Sequence, residues 1–284
     1  MAHGQEDFSR PVGEGPVLGL DIWIGLGVLG LMVGSFLNVV IHRLPIMIDR
    51  ADGSAERYDL VLPPSGCPAC GRRLRIRDNV PLLSFALLRG RCAGCGTRIS
   101  WRYPLVEALG AALPLAVAPA FGDPMQAAAA AVFSWFAIAI LFIDAETQLI
   151  PDALSLPLLW IGLLLGAGGV FVGAPAAILG AAAGYGALRL LGWVAQTALG
   201  RPALGAGDVK LFAALGAWLG WQPLPATLFL ACLTGTLAAA ILALFGRRSG
   251  QAPIAFGPFL IAAGLLMLAF GQHLRPILGP LFLR

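Results

Sequence analysis

Residues 126–143 read QAAAAAVFSWFAIAILFI, and residue 144 is an aspartate. An uncharged apolar run of this length approaches the ~20 residues that cross a bilayer as a helix. Comparable apolar windows lie at 17–41, 104–121, 126–143, 153–172, 174–197, 206–220, 222–245 and 254–272. The composition agrees, because 58% of the 284 residues are hydrophobic and only 12% are charged. The sequence therefore predicts an all-α polytopic membrane protein with about eight transmembrane helices.

Two of these windows, 126–143 and 206–220, are short and rich in glycine and alanine. Either is compatible with a re-entrant or half-crossing segment, so seven spans also fit the pattern. In the first window, Gly30-x-x-x-Gly34 has the small-residue spacing that lets helices approach closely in lipid. We expect this window to pack against another helix, and we interpret Arg43 just beyond it as an interfacial anchor.

Positive charge is concentrated between the first and second windows. Eleven of the 19 Lys and Arg residues lie there: Arg43, Arg50, Arg57, Arg72, Arg73, Arg75, Arg77, Arg89, Arg91, Arg98 and Arg102. The positive-inside bias predicts that this loop is cytoplasmic and that the N-terminus is outside. Eight alternating spans then put Asp144 and Asp208 on the cytoplasmic side. Five acidic residues leave the loop a net charge of about +6, which favours anionic membrane lipid over nucleic acid as its partner.

The loop at 42–103 is predicted to be a small cytoplasmic domain between an N-terminal segment with the first helix, 1–41, and a membrane domain, 104–284. It contains two C-x-x-C pairs, formed by Cys67, Cys70, Cys92 and Cys95. Four thiolates can complete a tetrahedral zinc site, and a loop with few large apolar side chains needs such a staple. Disulfides are the alternative, although a cytoplasmic loop is in a reducing compartment. The fifth cysteine, Cys232, is interpreted as a small apolar packing residue.

Asp144 and Asp208 each lie where an apolar run meets a short polar break. Acidic groups at such positions are costly unless paired or hydrated, and they are commonly functional. Two carboxyl groups a few ångströms apart cannot both ionise easily, so one acts as acid and the other as base, as in aspartyl proteases. The glycines before Asp208, in Gly205-Ala206-Gly207, allow an extended peptide to approach the main chain.

Other interpretations of these acidic residues remain open from the residues alone. Asp144 resembles Glu146 in its setting, and either could cap a helix or solvate a loop. Asp152 follows Pro151 and is predicted to cap the next helix. Asp208 could form a surface ion pair with Lys210, and intramembrane acids also serve ion transport.

Several motifs resemble those of bacterial type IV prepilin peptidases. In the first half these are GSFLNVVIHRLP at 34–45, CPAC at 67–70, DNVPLLS at 78–84, RGRCAGC at 89–95 and YPLVE at 103–107. In the second half they are the segment from Asp144 to Ile150-Pro151-Asp152 and GAGDVK at 205–210, which are similar to the two aspartate motifs of the Gly-x-Gly-Asp membrane proteases. The resemblance covers roughly 34–258.

The resemblance implies cleavage of the basic leader from prepilins or pseudopilins at the cytoplasmic face of the bacterial inner membrane, with Asp144 and Asp208 as the catalytic pair. Full-length members carry the cysteine loop and methylate the new N-terminal residue with S-adenosylmethionine. Asn38 and Glu107 are candidate contributors to methyl transfer; their alternatives are an interhelical contact and an ion pair with a loop arginine. The competing functions are a protease of other membrane peptides without methyltransferase activity and a transporter with a zinc-stapled loop.

Overall fold

The computed structural model describes residues 19–50, 58–75, 78–200, 204–245 and 255–282. These residues form nine α-helices, and within them no β-strand is present beyond two isolated bridges. The helices are α1 (Leu20–Asp49), α2 (Leu83–Leu87), α3 (Arg102–Val117), α4 (Pro124–Thr147), α5 (Asp152–Ala167), α6 (Ala174–Leu199), α7 (Ala206–Leu219), α8 (Leu224–Leu244) and α9 (Gly257–Phe282). A 3₁₀ turn, Ala118–Ala120, follows α3.

Every helix except α2 corresponds to one of the predicted apolar windows. Six of them, α1, α3, α4, α6, α8 and α9, are long and apolar enough to cross a membrane, judged by length and composition. Of the two windows singled out as short, the first belongs to the 24-residue α4, whereas the second is the 14-residue α7. The 16-residue α5 is also short. The prediction of an all-α membrane protein is confirmed.

Helix α7 lies at the centre of the larger helix cluster and packs against α5, α6 and α9. Its side chains Leu211, Phe212 and Trp218 are almost completely buried. The Trp218 Nε1–H donates a 2.8 Å hydrogen bond to the Leu158 carbonyl, which ties α7 to α5. A Cβ on Gly180 of α6 would overlap the backbone of α7, so only glycine permits this close approach. The short α7 is therefore fixed by helices on several sides.

Helices α1 and α3 pack together through small residues, as the Gly30-x-x-x-Gly34 spacing predicts. A Cβ on Gly30 would lie 2.5 Å from the Gly110 carbonyl oxygen, and one on Gly34 would lie 2.7 Å from the Glu107 Cα. Helix α4 contacts this pair and the α5–α9 cluster. The Trp135 Nε1–H of α4 donates a 2.9 Å hydrogen bond to the Gly110 carbonyl. Helix α4 thus joins the two parts of the protein.

Candidate active site and metal centre

Asp144 lies in the last turn of α4, and its side chain is buried with 4% of the residue exposed. The helix ends because Gln148 adopts a left-handed conformation, φ 57°, and its N–H caps the Asp144 carbonyl at 2.8 Å. An extended segment then leads through Ile150 to α5. The Asp144 Oδ2 atom is buried and has no hydrogen-bond partner in the described parts of the chain.

Asp208 lies in the first turn of α7, next to the N-terminal cap residue Gly205. Its Oδ2 atom points back toward that cap, and a Cβ on Gly205 would lie 3.0 Å from it. A carboxylate in this position complements the free N–H groups and the positive end of the helix. Its Oδ1 atom is buried and, among the residues that the structure describes, has no partner. Gly205 and Ala206 are exposed beside it.

The structure brings Asp144 and Asp208 together although 63 positions separate them along the chain. The two carboxylates are near enough for the charge of Asp144 to act on Asp208. Both neighbourhoods meet at Ile150: a Cβ on Gly207 would lie 2.8 Å from its Cβ, and a Cβ on Gly257 would lie 2.8 Å from its Cδ1.

Each aspartate has one buried oxygen for which the described residues supply no hydrogen-bond partner. Buried polar atoms are normally satisfied, so these two oxygens are suited to share a proton and to hold a water molecule. This arrangement is chemically suited to acid and base catalysis by the pair.

The other acidic residues near the pair form ion pairs with basic residues. Asp152 is in the first turn of α5, the position from which a carboxylate complements the helix start as expected, and its carboxylate also binds Lys210 Nζ at 2.7 and 2.6 Å. The alternative interpretation, in which Asp208 forms a surface ion pair with Lys210, is therefore wrong. Glu146, considered as a cap or solvated residue, forms an ion pair at 2.6 Å with Arg102 at the start of α3.

The two C-x-x-C segments form matching turns. Cys67 accepts a backbone hydrogen bond from Gly71, and Cys92 accepts the corresponding bond from Gly96, at 2.8 and 2.9 Å. Both glycines have positive φ, 70° and 71°, a conformation that suits glycine. Isolated antiparallel bridges, 66 with 73 and 91 with 98, close the two turns.

The four Sγ atoms of Cys67, Cys70, Cys92 and Cys95 all lie within 4.8 Å of one another, and Cys67 and Cys95 are 3.8 Å apart. Zinc–sulfur bonds of about 2.3 Å in a tetrahedron place sulfurs about 3.8 Å apart, so the donor set fits zinc. The Thr97 hydroxyl lies 3.2 Å from the Cys95 Sγ. In contrast, Cys232 is exposed on α8 rather than packed inside the protein.

Polar residues of α1 and α3 hold these two helices to each other and to the loop. Asn38 Nδ2 donates a 3.1 Å hydrogen bond to the Tyr103 carbonyl, which is the expected interhelical contact. Glu107 Oε2 accepts a 2.9 Å hydrogen bond from the Leu82 N–H, so its observed partner is a loop backbone and not a loop arginine. Arg43 is 6% exposed, so the interpretation as an interfacial anchor is wrong. Its guanidinium donates to loop carbonyls.

A bundle of apolar helices in which a buried Asp144 and a half-buried Asp208 both lie near Ile150 is typical of a membrane aspartyl protease. The Bacterial Peptidase A24 N-terminal domain matches residues 28–121, and the Type IV leader peptidase family matches residues 131–240. Together with the relatives described next, these matches show that the chain belongs to the type IV leader peptidase family. The resemblance seen in the motifs is confirmed.

Curated relatives are similar over most of both chains. A prepilin leader peptidase/N-methyltransferase of Dickeya chrysanthemi is 47% identical over 260 residues, which are 86% of this chain and 92% of the relative. Proteins of the same name from Dichelobacter nodosus and Burkholderia pseudomallei (strain K96243) are 42% and 43% identical, over 89% of this chain and 93% and 86% of their own lengths. No solved structure matches the chain.

Proposed function

We propose that the protein cleaves the basic leader of prepilins or pseudopilins at the cytoplasmic face of the bacterial inner membrane, with Asp144 and Asp208 as its catalytic residues. The proposal is supported by two observations: Gly257, which lies against Asp144, and Gly207, which precedes Asp208, both lie against Ile150, and each aspartate has a buried oxygen without a hydrogen-bond partner among the described residues. The names of the relatives support the substrate class and the activity. The arginine-rich loop supports the cytoplasmic orientation.

The proposed reaction uses the two carboxyl groups in different protonation states. The charged carboxylate takes a proton from a bound water as that water adds to the peptide carbonyl carbon. The protonated carboxyl donates a hydrogen bond to the developing oxyanion and then gives its proton to the leaving nitrogen as the carbon–nitrogen bond breaks. The pair ends the cycle with one proton, as it began. No metal is needed at this step.

Substrate access is supported by the backbone on one side of the site. Gly205 and Ala206 are exposed immediately before Asp208, in a segment that becomes helical only at residue 206. An extended peptide can lie against a backbone that carries such small side chains. A leader that enters from the cytoplasm would thus present its scissile bond to both aspartates at the membrane surface.

We propose methylation of the new N-terminal residue as a second activity, on the basis of the names of the relatives. S-adenosylmethionine would supply the methyl group. The buried Asn38 Oδ1 has no hydrogen-bond partner in the part of the chain described by the structure, so it can accept a bond from an amino group of a ligand. Asn38 and Glu107, at the junction of α1, α3 and the loop, are the candidate residues for this activity.

We further propose that Cys67, Cys70, Cys92 and Cys95 hold a structural zinc ion. The matching turns and the sulfur spacing support this assignment. The metal would fix the loop between α1 and α3, close to Asn38 and Glu107. We assign the metal a structural role, because the catalytic aspartates are not in this loop but in helices α4 and α7.

The function is tested with purified protein in proteoliposomes, a prepilin with a glycine–phenylalanine cleavage point and methyl-labelled S-adenosylmethionine. We expect cleavage by the wild type and none by Asp144→Asn or Asp208→Asn, whereas Asp152→Asn is the nearby matched control and retains cleavage. Label in the cleaved pilin establishes methyl transfer. Cleavage by either catalytic-pair variant at the wild-type rate removes that residue from the mechanism, and cleavage without label leaves a peptidase alone. The absence of cleavage by the wild type contradicts the proposed function.

A further inference from the structure

We propose that Gly257, the first residue of α9, is a positioning residue for Asp144, because a residue without a side chain is needed for the start of α9 to lie against the carboxylate. This inference rests on the proposed function of the aspartate pair. Gly257 lies outside the segment 131–240 that matches the leader peptidase family. The sequence does not indicate a role for Gly257, because glycine has no functional group.

The geometry at Gly257 leaves no room for a side chain. A Cβ at this position would lie 2.5 Å from Asp144 Oδ2, 3.2 Å from Asp144 Cγ and 2.8 Å from Ile150 Cδ1. Real Cβ atoms do not approach other heavy atoms as closely as 2.5 or 2.8 Å, so an alanine would displace the carboxylate, Ile150 or α9 itself. The carboxylate atom that the new methyl group would meet is Oδ2, the oxygen for which the described residues supply no hydrogen-bond partner.

The start of α9 also provides a favourable electrostatic environment for Asp144. The Phe256 carbonyl accepts the first helical hydrogen bonds, from Phe259 and Leu260 at 3.1 Å each. The N–H of Gly257, at the start of the helix, is directed to the Asp144 carboxylate. Asp208 has an equivalent relation to Gly205 at the start of α7. Each aspartate is thus placed against a glycine at a helix start.

The test compares two alanine substitutions in the same helix. Gly257→Ala introduces a methyl group against Asp144, whereas in Gly264→Ala the new Cβ would lie equally close, 2.5 Å, to a leucine methyl group, Leu215 Cδ2. Both substitutions raise helix propensity and both require movement of a neighbour. For Gly257→Ala we expect kcat for leader cleavage to fall at least 10-fold with KM within about 2-fold, and the pH–rate profile to shift. For Gly264→Ala we expect kcat within about 2-fold of the wild type and an unchanged profile.

A stability comparison keeps the inference testable even when a variant is inactive. The fall in Tm caused by Gly257→Ala is measured in the wild-type, Asp144→Ala and Ile150→Val backgrounds. We expect Gly257→Ala to lower Tm least in the Asp144→Ala background, because that background lacks the carboxylate which the new methyl group meets. An equal fall in the wild-type and Asp144→Ala backgrounds, or relief by Ile150→Val alone, overturns the inference. So does a Gly257→Ala enzyme with wild-type kcat and pH profile, whereas an inactive wild type contradicts the proposed function itself.

Discussion

Arg43 provides a quantitative prediction about how the cysteine loop is held on α1. The buried guanidinium donates hydrogen bonds to the Asp59 carbonyl from Nη1 at 2.9 Å and to the Pro63 carbonyl from Nη2 at 2.6 Å. Arg43→Ala removes both. Hydrogen bonds from a charged group contribute about 1.5–3 kcal/mol each, so the substitution removes about 3–6 kcal/mol of the free energy that holds the loop on α1. Local opening of the segment 58–65 should then become about 10²- to 10⁴-fold more favourable.

Hydrogen–deuterium exchange of the amides in 58–65 measures this opening directly. We expect exchange to accelerate in Arg43→Ala and to accelerate less in Arg43→Lys, because one ammonium group cannot reproduce the fork of a guanidinium. The matched control is Arg50→Ala: Arg50 is exposed and lies 4.5 Å from the centre of the Tyr58 ring. Its effect should stay below about 1 kcal/mol. Equal exchange in the wild type and Arg43→Ala would refute the argument.

Three further predictions concern the metal, a salt bridge and the α1–α3 contact. Cys95→Ser should lose the bound zinc and accelerate exchange in the loop, as measured by metal analysis of the purified protein; full metal content in this variant contradicts the four-thiolate site. Lys210→Ala should retain leader cleavage within about 5-fold, because the partly exposed pair with Asp152 contributes at most about 1 kcal/mol; complete loss of activity would assign Lys210 a direct role. Gly34→Leu should lower Tm by overlapping the α3 backbone at Val106 and Glu107, and an unchanged Tm would contradict the close α1–α3 packing.

Hydropathy predicts most of the fold because length and apolar composition determine which segments cross a bilayer. Hydropathy underestimates the length of α4, because the residues at both ends of this helix are polar. Asp123 accepts a hydrogen bond from the Met125 N–H at the start, and the helix continues past Asp144 to Thr147. The limits of such a helix depend on caps and ion pairs, which hydropathy does not describe. The predicted boundaries of the domains at 41/42 and 103/104 stay predictions.

The sequence singles out Asp144 and Asp208 because acidic residues at the ends of apolar runs are costly and commonly functional. It does not predict their immediate partners. Lys210 is two residues beyond Asp208 in a helix, and side chains at that spacing do not face each other, so it pairs with Asp152 of α5 instead. Tertiary packing also decides the role of Gly257, since only the folded structure places it against Asp144.

The central claim is that Asp144 and Asp208 act as one catalytic unit, and the most direct test is the rate of leader cleavage in the double variant. We expect Asp144→Asn and Asp208→Asn each to lower kcat by about 10³-fold or more, and the double variant to be no slower than the slower single variant. If the reduction in kcat of the double variant instead equals the product of the two single reductions, the two residues act independently, and this result would contradict the account.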